Sequence, residues 1–333
     1  MTLLHMRAWL FFTLIFTLAT SLTAADAGAQ SALKKVRLGT SSTNMSFLAM
    51  FAAYHRGFYK DEGIDLEIVY MPANLASTAV LSGDIDYNGA VTGVIGAAVR
   101  EQPMKVLLFT VARPLLFLFS KKEIREPKQL KGKKVAGSSP GGTATLLANQ
   151  VLREYGLEPG RDVSVLPMSG SAASRYAVLE SGVVDASLLS LPENIIAAER
   201  GFNELIFLGD VVEFPQNGFG TSEKKIRENP DEVYRMVRAT LRGLQFVWEP
   251  SQRESLIDVV GKQWKVTDRK LAAEMIKHVI RVLTKDAFIK PESVQVLIDL
   301  QRQNAKVTRA VSVADVVDYS FVDKARKELR ITK

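Results

Sequence analysis

The chain has 333 residues, 47% hydrophobic and 24% charged, enough length and apolar content for a substantial core and more than one lobe. It contains no cysteine, which excludes disulfides, thiol catalysis and a lipid-modified cysteine at an export site. The formal charge of +7 is spread out, with only short clusters such as Lys131, Lys133 and Lys134; this argues against nucleic-acid binding and leaves some attraction for small anions.

At the start of the chain Arg7 precedes the apolar run AWLFFTLIFTLATSL, which gives way to the small residues of TAADAGAQ. That order is the order of a secretory signal, and Ala27 and Ala29 suit the small-residue positions, so cleavage is expected after Ala29. The run is shorter than the ~20 residues a spanning helix needs. The expectation is export to the periplasm as a freely diffusing protein.

Beyond the leader, KKVRLGTSS alternates Val36, Leu38 and Thr40 with polar residues and predicts a first strand. SFLAMFAAYHRGF predicts a helix closed by Gly57, with Phe58 able to fold back on the last turn. Gly63 ends the next short turn, and IDLEIVY predicts a second strand. A repeat follows: AVLSGDIDYNGAVTGVIGAAVRE resembles AVLESGVVDASLLSLPENIIAAER, with Ser82-Gly83 matching Ser181-Gly182 and Asp86 matching Asp185 at one constant offset. Each copy reads as a helix capped at Ser-Gly, a strand passing an aspartate, and a second helix. Each aspartate is expected to satisfy backbone amides at a strand edge rather than to catalyse. VLLFTVARPLLFLFSKKEI gives two strand-like runs broken at Arg113-Pro114, and LKGKKVAG and DVSVLPMSG give two more strands. Strands alternating with helices predict α/β lobes with mainly parallel sheets. From about Asn217 onward helices dominate, one of them opening at Asn229-Pro230-Asp231 with the proline in its first position.

The stretch GSSPGGT, Gly137 to Thr143, fits the serine-hydrolase elbow G-x-S-x-G. Ser139 nevertheless fails as a nucleophile, because the oxyanion hole uses the N–H of the next residue and Pro140 has none. Once the leader is removed only His55 and His278 remain, both in helical segments. The better reading makes Ser139 an N-cap and Pro140 a first helical residue, leaving the amides of Gly141, Gly142 and Thr143 free at the positive end of a helix. Ser138 and Thr143 add hydroxyls, and an anion there is favoured. The Lys-Ser/Thr ending of a nucleotide loop is absent.

In the second repeat Ser190-Leu191-Pro192-Glu193 has the pattern of a capping box, with Glu193 read first as a cap and second as an acceptor for a ligand donor. The rim of the first lobe is expected at Ser41, Ser42, Thr43 and Asn44 after the first strand and at Asn88, Thr92 and Gly93 after the repeat's strand. Arg113 and Asn217 complete the ligand-binding set. No cofactor, metal ligand or catalytic residue is assigned.

AYHRGFYKDEGIDLEIV, VLSGDIDYNG, LKGKKVAGSSPGGT, VLESGVVDA, NPDEVYRMVRATLRG and DYSFVDKA, in this order and spacing, resemble the nitrate/sulfonate/taurine class of ABC-transporter substrate-binding proteins across nearly the whole mature chain. The resemblance implies an α/β, bilobal type II periplasmic binding protein fold with two hinge crossings. The first lobe would hold 34–111 and 217–333, the second 112–216, with crossings at Arg113-Pro114 and Gln216-Asn217-Gly218. It implies a monomer that binds a small-molecule ligand, closes on it and delivers it to an ABC permease and ATPase at the inner membrane. Trp9, Trp248 and Trp264 lie outside the candidate loops, so an aromatic clamp would need Phe47, Phe219 or a tyrosine. A related branch makes a thiamine pyrimidine precursor with a cysteine-rich segment, which this chain lacks. The leading expectation is a receptor for a small anion such as a sulfonate, taurine or nitrate. The alternatives are a neutral or aromatic heterocycle held by Asn44, Asn88, Glu193 and Phe219, and, from another class, a secreted hydrolase using Ser139.

Overall fold

The computed structural model describes residues 32–40, 44–138, 143–168 and 171–331. The leader 1–29 lies outside the described residues, as do Ser41, Ser42, Thr43, Ser139, Pro140, Gly141 and Gly142. The first five strands are β1 (Lys34–Thr40), β2 (Ile64–Tyr70), β3 (Tyr87–Ala90), β4 (Met104–Phe109) and β5 (Phe117–Ser120). The next five are β6 (Lys134–Ala136), β7 (Ser164–Leu166), β8 (Ala186–Leu189), β9 (Asn203–Phe207) and β10 (Asn217–Ser222). They form two five-stranded sheets, ordered β2-β1-β3-β10-β4 and β7-β6-β8-β5-β9.

The sheets are mixed rather than mainly parallel. β1 pairs parallel with β3, and β6 with β7 and β8, but β10 and β5 run antiparallel to both of their neighbours. The cause is connectivity. A parallel strand needs a crossover helix to carry the chain back to the starting edge. β5 and β10 each follow a passage from the other sheet, enter where the parallel strands end, and run back. Both β3 and β8 are buried along their whole length, as expected for strands covered on both faces.

The helices that matter here are α1 (Leu48–His55), α2 (Ala73–Ser82), α3 (Val91–Val99), α4 (Thr143–Glu154), α5 (Ala172–Glu180), α6 (Glu193–Glu199), α7 (Pro230–Trp248), α8 (Arg269–Ile280) and α9 (Pro291–Ala305). Among the described residues no helix is long and apolar enough to cross a membrane.

The repeat read in the sequence is a repeat in space. α2 and α5 end at Gly83 and Gly182 with φ of 87° and 78°, left-handed positions that a side chain would strain. Asp86 then accepts the N–H of Arg37 in β1 at 2.8 Å, and Asp185 accepts the N–H of Lys134 in β6 at 2.9 Å. Each aspartate also holds a lysine, Lys225 at 2.5 Å and Lys121 at 2.9 Å. The two carboxylates fasten the strands of their own sheets, which is the amide-satisfying role their position predicted.

α7 opens as the sequence predicted, with Pro230 at its first position and Asp231 and Glu232 in its first turn. Its apolar stripe, including Val233, Val237 and Leu244, packs into the core beside α1. The approach is close enough that a Cβ on Gly243 would lie 2.3 Å from the carbonyl oxygen of Ala49. Arg235, Arg238 and Arg242 of α7 all converge on Glu62, which is 4% exposed. Phe58 does not fold back on α1 alone; it meets Phe246 of α7 edge-on, with the Arg242 guanidinium 4.4 Å above its ring.

Candidate functional site

β4 ends at Phe109, and the chain passes through residues 110–116 into β5 at Phe117. It comes back through residues 208–216 into β10 at Asn217. In β5, Phe117 lies opposite Leu189 and Phe207, the last residues of β8 and β9. In β10, Asn217 lies opposite Ala90 and Gly218 opposite Phe109, the last residues of β3 and β4. Both crossings therefore join the edges at which the parallel strands end. The loops after β1 and β3 leave one of these edges, and those after β6 and β8 leave the other. Ligands in open α/β sheets collect at such edges, and here two crossings link the strand-end edge of one sheet to that of the other.

The crossings are bound to each other. The carbonyl of Asn217 accepts the N–H groups of Thr110 and Val111 at 2.8 and 3.3 Å, and Gln216 donates its own N–H to Val111 at 3.2 Å. Arg113, read from the sequence as a ligand residue, is engaged within this hinge: Nη1 donates to the Gly209 carbonyl at 3.4 Å, and Nη2 lies 3.9 Å from Glu213. Asn217 is buried there as the first residue of β10. Just past α8, Arg281 pairs with Asp210 at 2.8 Å and covers the ring of Phe207 at 4.2 Å, tying the C-terminal helices to the second sheet.

On the first-sheet rim, Asn44 is exposed and caps the turn Met45–Phe47 by accepting the N–H of Ser46 at 3.0 Å. Asn88 is fully buried; its amide donates to Ser77 at 3.0 Å and accepts the N–H of Ala90 at 2.9 Å, which fixes the β3–α3 turn. Thr92 is half-buried in the first turn of α3. Phe47 and Phe219, the aromatic clamp candidates, are instead core residues, 1% and 0% exposed. Phe219 points inward because β10 alternates it against Tyr87, whose ring it meets edge-on at 5.3 Å.

On the second-sheet rim, α4 is described from Thr143, and the start predicted at Pro140 lies outside the described residues. Ser138 is bonded to the first turn of α4: its hydroxyl accepts the N–H of Thr145 at 3.3 Å, and its carbonyl accepts the Thr145 hydroxyl at 2.8 Å. The Thr145 amide is not one of the three expected to meet an anion, those of Gly141, Gly142 and Thr143. The capping box at Ser190 and Glu193 does not form. Asn194 donates its N–H to the Ser190 carbonyl at 3.1 Å, Pro192 becomes the N-cap, and the Glu193 carboxylate accepts its own residue's N–H.

Glu193 is thereby free for its second expected role. Burial raises its carboxyl above the ordinary value of 4.5, opposed by its own N–H and by the charge of Arg175. The unfolded chain titrates near that ordinary value, so between it and the higher native value the folded state holds the extra proton. Stability contributed by this group falls as pH rises through that window and stays lowered above it. Glu193→Gln is expected to raise the melting temperature by about 1–3 °C at about pH 7.5, the gain fading toward about pH 4, as read by calorimetry at the two pH values.

The residue that sequence reasoning missed is Arg175. It lies on α5 at the edge where the second-sheet loops emerge, 7% exposed, with Nε donating to the Leu188 carbonyl at 2.6 Å. Burial draws it below the ordinary arginine value, with Glu193 pulling the other way. A signal was available: Arg175 stands one helical turn before Leu179, the other buried residue of α5, so a charge occupies the inward stripe.

Neither of the two described histidines is held as a catalytic base is. His55 Nε2 is bonded to Gln263 at 2.7 Å, and His278 lies edge-on to Phe117 with Nδ1 buried and unpartnered. Neither ring is oriented by a carboxylate among the described residues, as a triad histidine is.

Two mixed α/β sheets, joined by two crossings at their opposed edges, define the type II periplasmic binding protein fold. The chain belongs to the NMT1/THI5-like family, which matches residues 44–254. It is similar to a putative aliphatic sulfonates-binding protein of Bacillus subtilis (strain 168), 23% identical over 94% of this chain and 95% of that one. Among solved structures it superposes on the periplasmic nitrate-binding protein NrtA from Synechocystis PCC 6803 with a TM-score of 0.71, 16% identity and coverage of 90% of each chain. The alkanesulfonate-binding protein SsuA from Xanthomonas axonopodis pv. citri, bound to MOPS, superposes with a TM-score of 0.68 at 17% identity, covering 86% of this chain and 98% of that one.

Proposed function

We propose that this protein is a non-enzymatic periplasmic receptor that takes a small anion, a sulfonate, taurine or nitrate, between two lobes and presents it to an ABC permease and its ATPase. The lobes are 34–111 with 217–333, and 112–216; the chain acts as a monomer, exported with cleavage after Ala29. The observation that carries this reading is the pair of crossings at the strand-end edges, the edges from which both sets of loops leave. Membership of the family and the binding-protein relatives support it, as does the absence of a thiol anywhere in the sequence. Closure of the lobes would bury the ligand, and a closed form is the natural signal to a permease.

Thermal unfolding against methanesulfonate, taurine and nitrate tests the proposal. A ligand at about 100 times its Kd adds about 2.7 kcal/mol to the folded state, which raises the melting temperature by several degrees. If none of these anions shifts melting at millimolar concentration, the anion assignment fails.

A further inference from the structure

Arg175 is 7% exposed, yet among the described residues it has no ionic partner. Its Nε–H is fixed on the Leu188 carbonyl at 2.6 Å, which sets the guanidinium plane against the end of β8. The Nη1 and Nη2 groups find no acceptor, and no carboxylate stands within 4.0 Å of them, among the described residues. The other buried arginine is different: Arg326, 5% exposed, reaches Asp286 at 2.9 Å. Glu193 influences Arg175 through space without pairing with it, because its carboxylate is turned to its own N–H.

A buried cation without a partner is costly, and folded proteins keep such a group where something arrives to neutralise it. The fork of Nη donors matches two oxygens of one planar or tetrahedral oxyanion. A single guanidinium offsets one negative charge, not two, and the Glu193 carboxylate nearby disfavours a second. We infer that Arg175 is the charge anchor of the cleft, holding a monoanionic oxyanion through its Nη edge while the Leu188 carbonyl keeps the guanidinium oriented. This inference rests on the anion-receptor reading above and adds to it the residue that supplies the charge and the preference for a monoanion.

The test is titration calorimetry of the wild-type protein, Arg175→Gln and Arg175→Lys with methanesulfonate, taurine, nitrate and sulfate, together with melting of each protein without ligand. The wild type should bind at least one monoanion and bind sulfate at least about tenfold more weakly. Arg175→Gln should lose about a hundredfold or more in affinity, and Arg175→Lys, which keeps the charge but not the fork, about tenfold. Without ligand, Arg175→Gln should melt no lower than the wild type, because its amide can still donate to Leu188 and the buried charge is gone. Unchanged affinity in Arg175→Gln, or a fall in ligand-free melting that accompanies the loss of affinity, would overturn the anchor while leaving the receptor reading intact. Equal affinity for sulfate would overturn the monoanion preference. A wild type that binds none of the anions would overturn both readings at their common root.

Discussion

Glu62→Ala is expected to destabilise the protein by about 2–3 kcal/mol, read as a lowered urea midpoint with little change in slope. Glu62 accepts two parallel bonds from Arg238, Nε at 2.9 Å and Nη2 at 2.7 Å, and a third contact from Arg242 at 3.5 Å. Its carbonyl accepts Nη1 of Arg235 at 3.0 Å. Removing a carboxylate from a buried pair leaves uncompensated charge, at about 3–5 kcal/mol when nothing can rehydrate. Arg238 and Arg242 keep 35% and 29% of their side chains exposed and recover part of that in water, hence the smaller figure. Glu62→Leu combined with Arg238→Leu should restore much of the loss, since removing both charges removes the conflict. A double mutant that is simply the sum of its singles would show that the cluster is not coupled. The same geometry explains the Glu-Gly pair that follows the first helices: Glu62 joins the start of β2 to α7 across 176 positions of sequence.

Gly243→Val should cost about 2–4 kcal/mol, and Gly243→Ala about 1–2 kcal/mol net. In a helix interior alanine normally gains up to about 1 kcal/mol over glycine, so the sign itself is diagnostic. Here the added Cβ would stand 2.3 Å from the Ala49 carbonyl and 2.7 Å from the Ala53 Cβ, backbone and short side chain that have nowhere to move. α7 must then back away from α1, opening the core between them. Gly96→Ala on α3 is the control, because its Cβ would meet the flexible ends of Gln301 at 3.2 Å and Arg100 at 3.7 Å. If both alanine variants melt alike, the contact between α1 and α7 is not tight in solution.

Much of this architecture can be read from residue patterns. Val36 and Leu38 alternate inward and are fully buried, and the Ser-Gly and Asp positions of the repeat do the same work in both sheets. Those features are local, set by the period of a strand or by the conformation a cap requires. The reversed direction of β5 and β10 is not local, because it depends on which sheet the chain has just left. The fates of Asn88 and Phe219 likewise turn on Ser77 and Tyr87, which lie 11 and 132 positions away in sequence. At Ser190 a local rule failed outright, since a backbone bond closed the turn before the side chains could. Ligand residues are harder still. Arg175 resembles any surface arginine until β8 is laid over it, and Arg113 looks free until Glu213 arrives from the second crossing.

One consequence follows from where the two reversed strands sit. β10 lies between β3 and β4, and β5 between β8 and β9, so each passage leaves from a border strand, β4 or β9, and enters the middle of the other sheet's ladder. A torque at the entering end is gripped from both flanks by rows of main-chain bonds, while at the leaving end it falls on a strand with one ladder partner. Any bending between the two sheets would then fall on the links themselves, residues 110–116 and 208–216.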